Sequence, residues 1–249
     1  MIGNNLYKMK DKICILGDGL LGSELETQTG WDVISRKRHN FDITRPEEWH
    51  QHLLVQEWGT VIYPKYTILV NCIANTDTYT NDQQSHWDVN VQGVKDLIEF
   101  CNKWDIKLVH ISTDYIYSNS TPNASETDVP VHCATWYGYT KLVSDALVQL
   151  ECNNYLLLRS THKPNPFPYK GAWENQVGNF DYVDTIGKQM VELIQKQANG
   201  VFNLGTEFKS MLKLAQQTVP HITPIKELPL LTPPNVSMNI NKYKKFINL

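Results

Sequence analysis

Along the first two thirds of the chain, short apolar runs alternate with longer stretches whose apolar residues fall at helical spacing. Lys12 to Leu16, Asp32 to Ser35, Thr67 to Ala74, Lys107 to Ile111 and Tyr155 to Arg159 read as strands, several of them apolar enough to be covered on both faces. Between them, Trp87 to Trp104 places Val89, Val91, Val94, Leu97, Ile98 and Cys101 on one helical stripe. A further amphipathic segment runs from Tyr137 to about Cys152, and Thr44, Pro46 and Glu47 form a capping-box start for a helix leading through Trp49 to Trp58. Regular alternation of strand and helix predicts an α/β fold, a doubly wound parallel sheet.

Beyond Arg159 the pattern breaks. Ser160 to Phe180 holds Pro164, Pro166, Pro168, Gly171 and Gly178 and reads as loop. Asp181 is placed to cap a helix reaching about Asn199, Val201 to Leu204 reads as a strand, and Ser210 caps a last helix to Val219. The Pro-rich tail ends in Lys242, Lys244 and Lys245, expected as a solvated face.

Composition narrows the class. With 249 residues, 41% hydrophobic, 20% charged and a net charge of -3, the chain has the size and balance of a globular protein and no basic footprint for nucleic acid or a membrane surface. Cys14, Cys72, Cys101, Cys133 and Cys152 are scattered and odd in number, which fits reduced thiols and suggests no metal site. Met1 to Lys10 has no apolar signal core, so a cytoplasmic location is expected.

Five places carry candidate chemistry. Gly17-Asp18-Gly19-Leu20-Leu21-Gly22 follows a strand and opens a helix, the setting in which backbone N–H groups of the turn, Leu20 and Leu21 included, face a pyrophosphate. After the second strand come Ser35, Arg36, Lys37 and Arg38, which suit a 2'-phosphate or form a solvated basic turn; Asp42 then meets an adenine or ends a loop. Ala74, Asn75 and Thr76 leave the central strand at the edge where such sheets bind ligands, and Asn90 either reaches that site or bonds locally. Ser112 and Thr113, at the end of the next strand, offer hydroxyls to a carbonyl oxygen or to a turn. Tyr137 and Lys141 stand four residues apart and so share a helix face, where a fixed cation favours the ionised phenol. Alone, that pair is also what an ordinary amphipathic helix supplies.

Taken in order, the Gly-rich turn, Ser112-Thr113 and Tyr137-x-x-x-Lys141 resemble an extended short-chain dehydrogenase/reductase. The strings STDYIY and YGYTK look closest to its dTDP-4-dehydrorhamnose reductase branch. Val70 to Ala74, Leu158-Arg159-Ser160, Tyr182-Val183-Asp184 and Gly200 to Gly205 extend the likeness nearly end to end. The resemblance implies a Rossmann domain over residues 1–159. It implies a small, reduced substrate-binding region over 160–249, interleaved with the last strands and helices of that domain. It also implies NADP(H), with NAD(H) as the second choice, a nucleotide-sugar substrate and a homodimer as one assembly. Tyr137 would donate the proton, Lys141 would hold the nicotinamide ribose and depress the Tyr137 pKa, and Thr113 would bond the reacting carbonyl. Two departures stand out: Leu16 occupies the place of the family's first glycine, and the stretch from Arg159 to Asp181 is short for a substrate-binding segment.

Overall fold

The computed structural model describes residues 11–57, 59, 61–80, 82–118, 120–128 and 135–248. Six strands form the central sheet: β1 (Ile13–Leu16), β2 (Asp32–Ile34), β3 (Ile68–Asn71), β4 (Lys107–Ser112), β5 (Tyr155–Arg159) and β6 (Gly200–Asn203). They lie in the order β6-β5-β4-β3-β1-β2, every neighbouring pair parallel. The chain runs one way from β1 to β2 and the other from β3 onward. The sheet therefore has a switch point between β1 and β3, where the loops at the carboxyl ends diverge and leave a crevice.

Period-two alternation divides the sheet residues between two layers. On one face Cys14, Leu16, Leu69, Leu108 and Leu157 pack with Val94, Leu97, Ile98 and Cys101 of α2 (Gly93–Trp104) and Val148 of α3 (Trp136–Glu151). On the other, Ile15, Val70, Val109, Leu156 and Leu158 meet Leu21 and Leu25 of α1 (Leu20–Thr29) and Ile186, Met190 and Leu193 of α4 (Val183–Gln195). Burial on both faces is why the central strands are apolar throughout, and it makes this the doubly wound Rossmann fold that the alternation predicts.

The structure corrects several expected elements. β2 ends at Ile34, and Ser35 instead caps a single turn, Arg36–His39, by accepting from the Arg38 amide at 3.1 Å. The helix expected from Thr44 to Trp58 is a 3-10 turn (Pro46–Glu48), one helical turn (His50–Leu53) and an antiparallel hairpin of Leu54–Glu57 with Val61–Pro64. Val55, Val61, Ile62 and Tyr63 favour strand, and Gly59 takes the left-handed conformation between them, which overrides the capping signal; Trp58 lies outside the described residues. The Trp87 helix begins earlier, at Gln83, and passes through a π turn at Asp88–Gln92. Asp181 does not cap α4: Tyr182 holds the cap position, while the Asp181 carboxylate binds Lys209 at 3.0 Å and Thr206 at 2.5 Å. The predicted loop Ser160 to Phe180 contains His162–Lys163, Gly171–Trp173 and Val177–Gly178, strands too short to show a period. Lys242 is not simply solvated, since its ammonium donates to Val201 O at 2.5 Å and lies 4.4 Å from the Phe202 ring centre. Cys133 and Asn119 lie outside the described residues.

Candidate active site

The Gly-rich turn is built by contact as much as by flexibility. Gly17 has φ +98° and donates its N–H to Ile34 O at 2.8 Å, which ties the turn to the end of β2. A Cβ on Gly22 would stand 2.0 Å from Gly17 O, so α1 approaches the turn as only glycine permits. Nothing lies within 4 Å of a Cβ built on Gly19, which caps α1 without a side-chain bond; the first amides of that helix are left for a ligand. Leu16, standing where the family's first glycine is expected, is a fully buried strand residue, and the left-handed backbone falls to Gly17.

This turn opens onto a cavity of about 770 Å³ lined by Gly19, Leu20 and Leu21 from β1 to α1, Ile73, Ala74 and Thr76 after β3, Ser112 and Thr113 after β4, and Tyr137 and Lys141 of α3. Gly17, Gly22 and Asp42 support the turn and its flank without lining that space. Thr135 caps α3 by accepting from the Gly138 amide at 3.1 Å, which fixes the helix start one residue before Trp136. Farther along, Asp145 takes a bidentate pair from Arg159 of β5, at 2.9 Å and 2.8 Å, and Arg159 also donates to the Tyr117 hydroxyl at 2.6 Å. That buried clamp fixes α3 against the sheet, and so fixes Tyr137 and Lys141 over the cavity.

The electrostatics differ from the expectation. Desolvation pushes the Tyr137 phenol up to about 12, partly offset by its hydrogen bond with the Thr113 hydroxyl, and the nearby Asp114 adds to the rise. Lys141 does not depress it here: its ammonium donates to Ile111 O at 2.7 Å and lies 3.3 Å from His110 Nε2. Burial brings Lys141 itself down to about 8, with Asp145 and Cys72 opposing. At neutral pH the phenol is therefore a held proton. Thr113 accepts from the Tyr115 amide at 3.2 Å and faces Asp114 at 3.3 Å. Desolvation raises Asp114 to about 6, partly offset by the hydrogen bond it accepts from Thr161.

Two expected ligand contacts turn inward instead. Asn90 is fully buried: its Oδ1 accepts from the Asn75 amide at 2.8 Å, and its Nδ2 donates to Asn75 O at 3.0 Å and Thr140 Oγ1 at 3.2 Å. The π turn rotates it into this position. Asn75 spends its own side chain on Ser85 Oγ and the Asp77 amide, so both asparagines shape the loop after β3 rather than reach the cavity. The basic turn is partly engaged by the protein: Arg38 forms a fork with Glu26 at 2.7 Å and 2.9 Å and lies 3.4 Å from Asp18, and Arg36 pairs with Asp42. Lys37 is exposed and forms no salt bridge among the described residues.

Sequence reading missed most of the far wall, with only His162 weighed, as an extra acid or base or a structural residue. Tyr79, Tyr115, Thr161, His162, Lys163 and Trp173 complete the cavity, along with Phe167 and Met211. Only the run Ser160 to Lys163, directly after β5, carried a usable signal, by its place at a strand's carboxyl end. His162 is held neutral, burial lowering it to about 4, and its Nδ1 has no partner among the described residues. Ser112 Oγ and Ser160 Oγ are likewise buried without partners beside the same space.

A dinucleotide fits these residues, since the open α1 amides, the Gly19 gap and the unpartnered hydroxyls at the ends of β4 and β5 form one continuous trough. Comparison with known proteins agrees. A family model described as the RmlD substrate binding domain matches residues 11–162. A dTDP-4-keto-6-deoxy-D-glucose reductase of Streptomyces niveus is 25% identical over 217 residues, covering 78% of this chain and 73% of that protein. Among solved structures, dTDP-4-dehydrorhamnose reductase from Bacillus anthracis in complex with NADP superposes with a TM-score of 0.79 at 20% identity, covering 96% of this chain and 92% of that one. The Bordetella bronchiseptica enzyme WbmG in complex with NAD and UDP gives 0.73 at 16%, covering 96% and 89%. Because the family model spans more than half of the sequence, the chain belongs to the RmlD substrate binding domain family, in the dTDP-4-dehydrorhamnose reductase-like branch of the extended short-chain dehydrogenase/reductases.

Proposed function

We propose that the protein is an NADPH-dependent reductase of a nucleotide-linked 4-keto-6-deoxy sugar, with NADH as a weaker alternative. The observation that carries this reading is the convergence of Thr113, Tyr137 and Lys141 with the open α1 amides on one cavity at the sheet's switch point. The cofactor supplies the hydride when bound. Gly19, Leu20 and Leu21 receive the pyrophosphate, and Lys141 lies where it can meet the nicotinamide ribose. Tyr137, protonated at neutral pH, gives its proton to the substrate oxygen while Thr113 orients that oxygen. Proton donation of this kind is worth about 10^2 to 10^4 in rate. The far wall offers aromatic faces (Tyr79, Tyr115, Trp173) suited to stacking, and Lys163 as a cation for a phosphate.

NADPH oxidation against a panel of 4-keto nucleotide sugars tests this, with Tyr137→Phe as the blank. Turnover with at least one sugar is expected, falling about 10^2-fold or more in the variant while NADPH affinity is kept. A Tyr137→Phe protein that turns over normally would remove the proton-donor role.

His162 supports a second reading, an epimerase or epimerase-reductase, because it places a neutral imidazole in the cavity. Deuterium uptake from solvent into the sugar ring separates the two. We place the protein in the cytoplasm; among the described residues no helix is long and apolar enough to cross a membrane. The exposed rings of Trp87 and Tyr139, on neighbouring helices, support a homodimer.

A further inference from the structure

His110 lies in the middle of β4, fully buried, with polar neighbours on both ring nitrogens. Asn71, its register partner on β3, has its amide orientation fixed by the backbone: Oδ1 accepts from the Ile73 N–H at 3.1 Å, so Nδ2 is the atom 3.3 Å from His110 Nδ1. An amide N–H can only donate, so Nδ1 must be the bare, accepting nitrogen, and a neutral ring then carries its proton on Nε2. That nitrogen faces Lys141 Nζ at 3.3 Å and Ser144 Oγ at 3.5 Å. Ser144 gives its own proton to Lys141 O at 3.0 Å and so keeps lone pairs toward the ring. Among the described residues, Lys141 thus has one acceptor, Ile111 O, and the ring nitrogen beside it is a donor.

We propose that His110 is a positioning residue, locked by Asn71 as the Nε2–H tautomer, which presents Lys141 with a donor in place of an acceptor and thereby eases release of the Lys141 proton. The ring is neutral because burial, and then the adjacent lysine, hold its pKa well below the ordinary value. The other groups facing Lys141 are the Cys72 thiol at the end of β3, pushed up to about 12 by burial and so uncharged, and Asp145 one turn along α3. The Asp145 charge is committed to Arg159, which leaves the histidine tautomer as the adjustable neighbour. Burial brings Lys141 toward neutral pH, and the lock adds to that fall, as suits a residue coupled to the transfer from Tyr137. Only that consequence rests on the reductase reading; the tautomer itself does not.

The test is nitrogen-15 NMR of the ligand-free protein labelled at histidine, with His110 assigned by its loss in His110→Phe. A bare Nδ1 and a protonated Nε2 across pH 6 to 9 are expected; a protonated Nδ1 or a doubly protonated ring overturns the proposal. Asn71→Asp reverses the lock while keeping the shape: its carboxylate accepts from Nδ1–H, freeing Nε2 to accept from Lys141. The Lys141 titration, followed at its 13Cε resonance, should then move at least tenfold in proton concentration toward higher pH, and the pH profile of kcat should move with it. An unshifted Lys141 in a variant whose ring has changed tautomer would also overturn the proposal. If the tautomer and titration behave as stated but no sugar is reduced, the reductase reading alone fails.

Discussion

The two walls of the cavity are held by different means. On the cofactor side the groups sit at the ends of the central strands or on α3, which is clamped to them, and they are fixed by long-range bonds: Gly17 to Ile34, Asn90 to Asn75, Arg159 to Asp145. On the substrate side the strands are two or three residues long and pair in twos and threes, and they rest on a separate small core of Phe167, Phe180, Tyr182, Met211, Leu214 and Ile222. On the proposed reading, groups that must hold a proton within reach of one atom are carried by the sheet and the helix clamped to it. Groups that recognise the rest of the molecule are carried on segments that can change without disturbing it.

If the walls are separable in this way, breaking a brace on the sheet side should cost stability and turnover together. Asn90→Ala leaves both backbone groups of Asn75 without their partner and also removes a neighbour of His86 Nδ1. A loss of about 2–5 kcal/mol is expected, measured by urea unfolding, along with weaker cofactor binding because Ala74 and Thr76 lose their placement. Wild-type stability in this variant would show that the π turn is not the support it is taken to be.

Asp114 lies at the seam between the walls, bonded by Thr161 from one and Thr113 from the other, with Oδ2 buried and without a partner among the described residues. Its folded pKa, about 6, is above the ordinary 3.8, because burial penalises the charged form. A carboxyl shifted this way costs stability above the folded value; the cost fades as pH falls from 6 toward 4, where both states are protonated. Asp114→Asn keeps the acceptor for Thr161 and carries no charge. It should gain up to about 3 kcal/mol at pH 8, shrinking toward zero near pH 4. A gain independent of pH would assign the effect to packing.

The contrast between the walls also explains what could be read from the chain. The sheet side was legible because parallel strands need continuous apolar runs and a pyrophosphate turn needs its glycines at fixed spacing, so Gly17 to Gly22, Thr113, Tyr137 and Lys141 announce themselves. Asn90 was visible, with local bonding as one of its two readings, but the choice between them was not, since a π turn leaves no mark in the periodicity and rotates the side chain away from the face that helical spacing assigns. The Tyr137 pKa was misjudged for a related reason: spacing puts Lys141 on the same face, but the nearest acceptor, Ile111 O, belongs to a strand and claims the ammonium. The substrate side was read as loop because a two-residue strand has no period, and Tyr79, Trp173 and Met211 meet only through tertiary folding.

The smallest expected effect on the fold is also the sharpest test of separability. Trp173 lies on the Gly171–Trp173 strand, pairs through its backbone with Ile225, is partly buried against the substrate-side core and lines the cavity. Its backbone pairing does not depend on the indole, and among the described residues none of the six-stranded sheet belongs to that core. Trp173→Ala should therefore leave NADPH affinity and kcat near the wild-type values while raising KM for the nucleotide sugar about 5- to 30-fold, the range for one lost aromatic stacking surface of about 1–2 kcal/mol. A fall in kcat equal to the fall in kcat/KM would instead place the indole in the transition state, and would join the two walls into one machine.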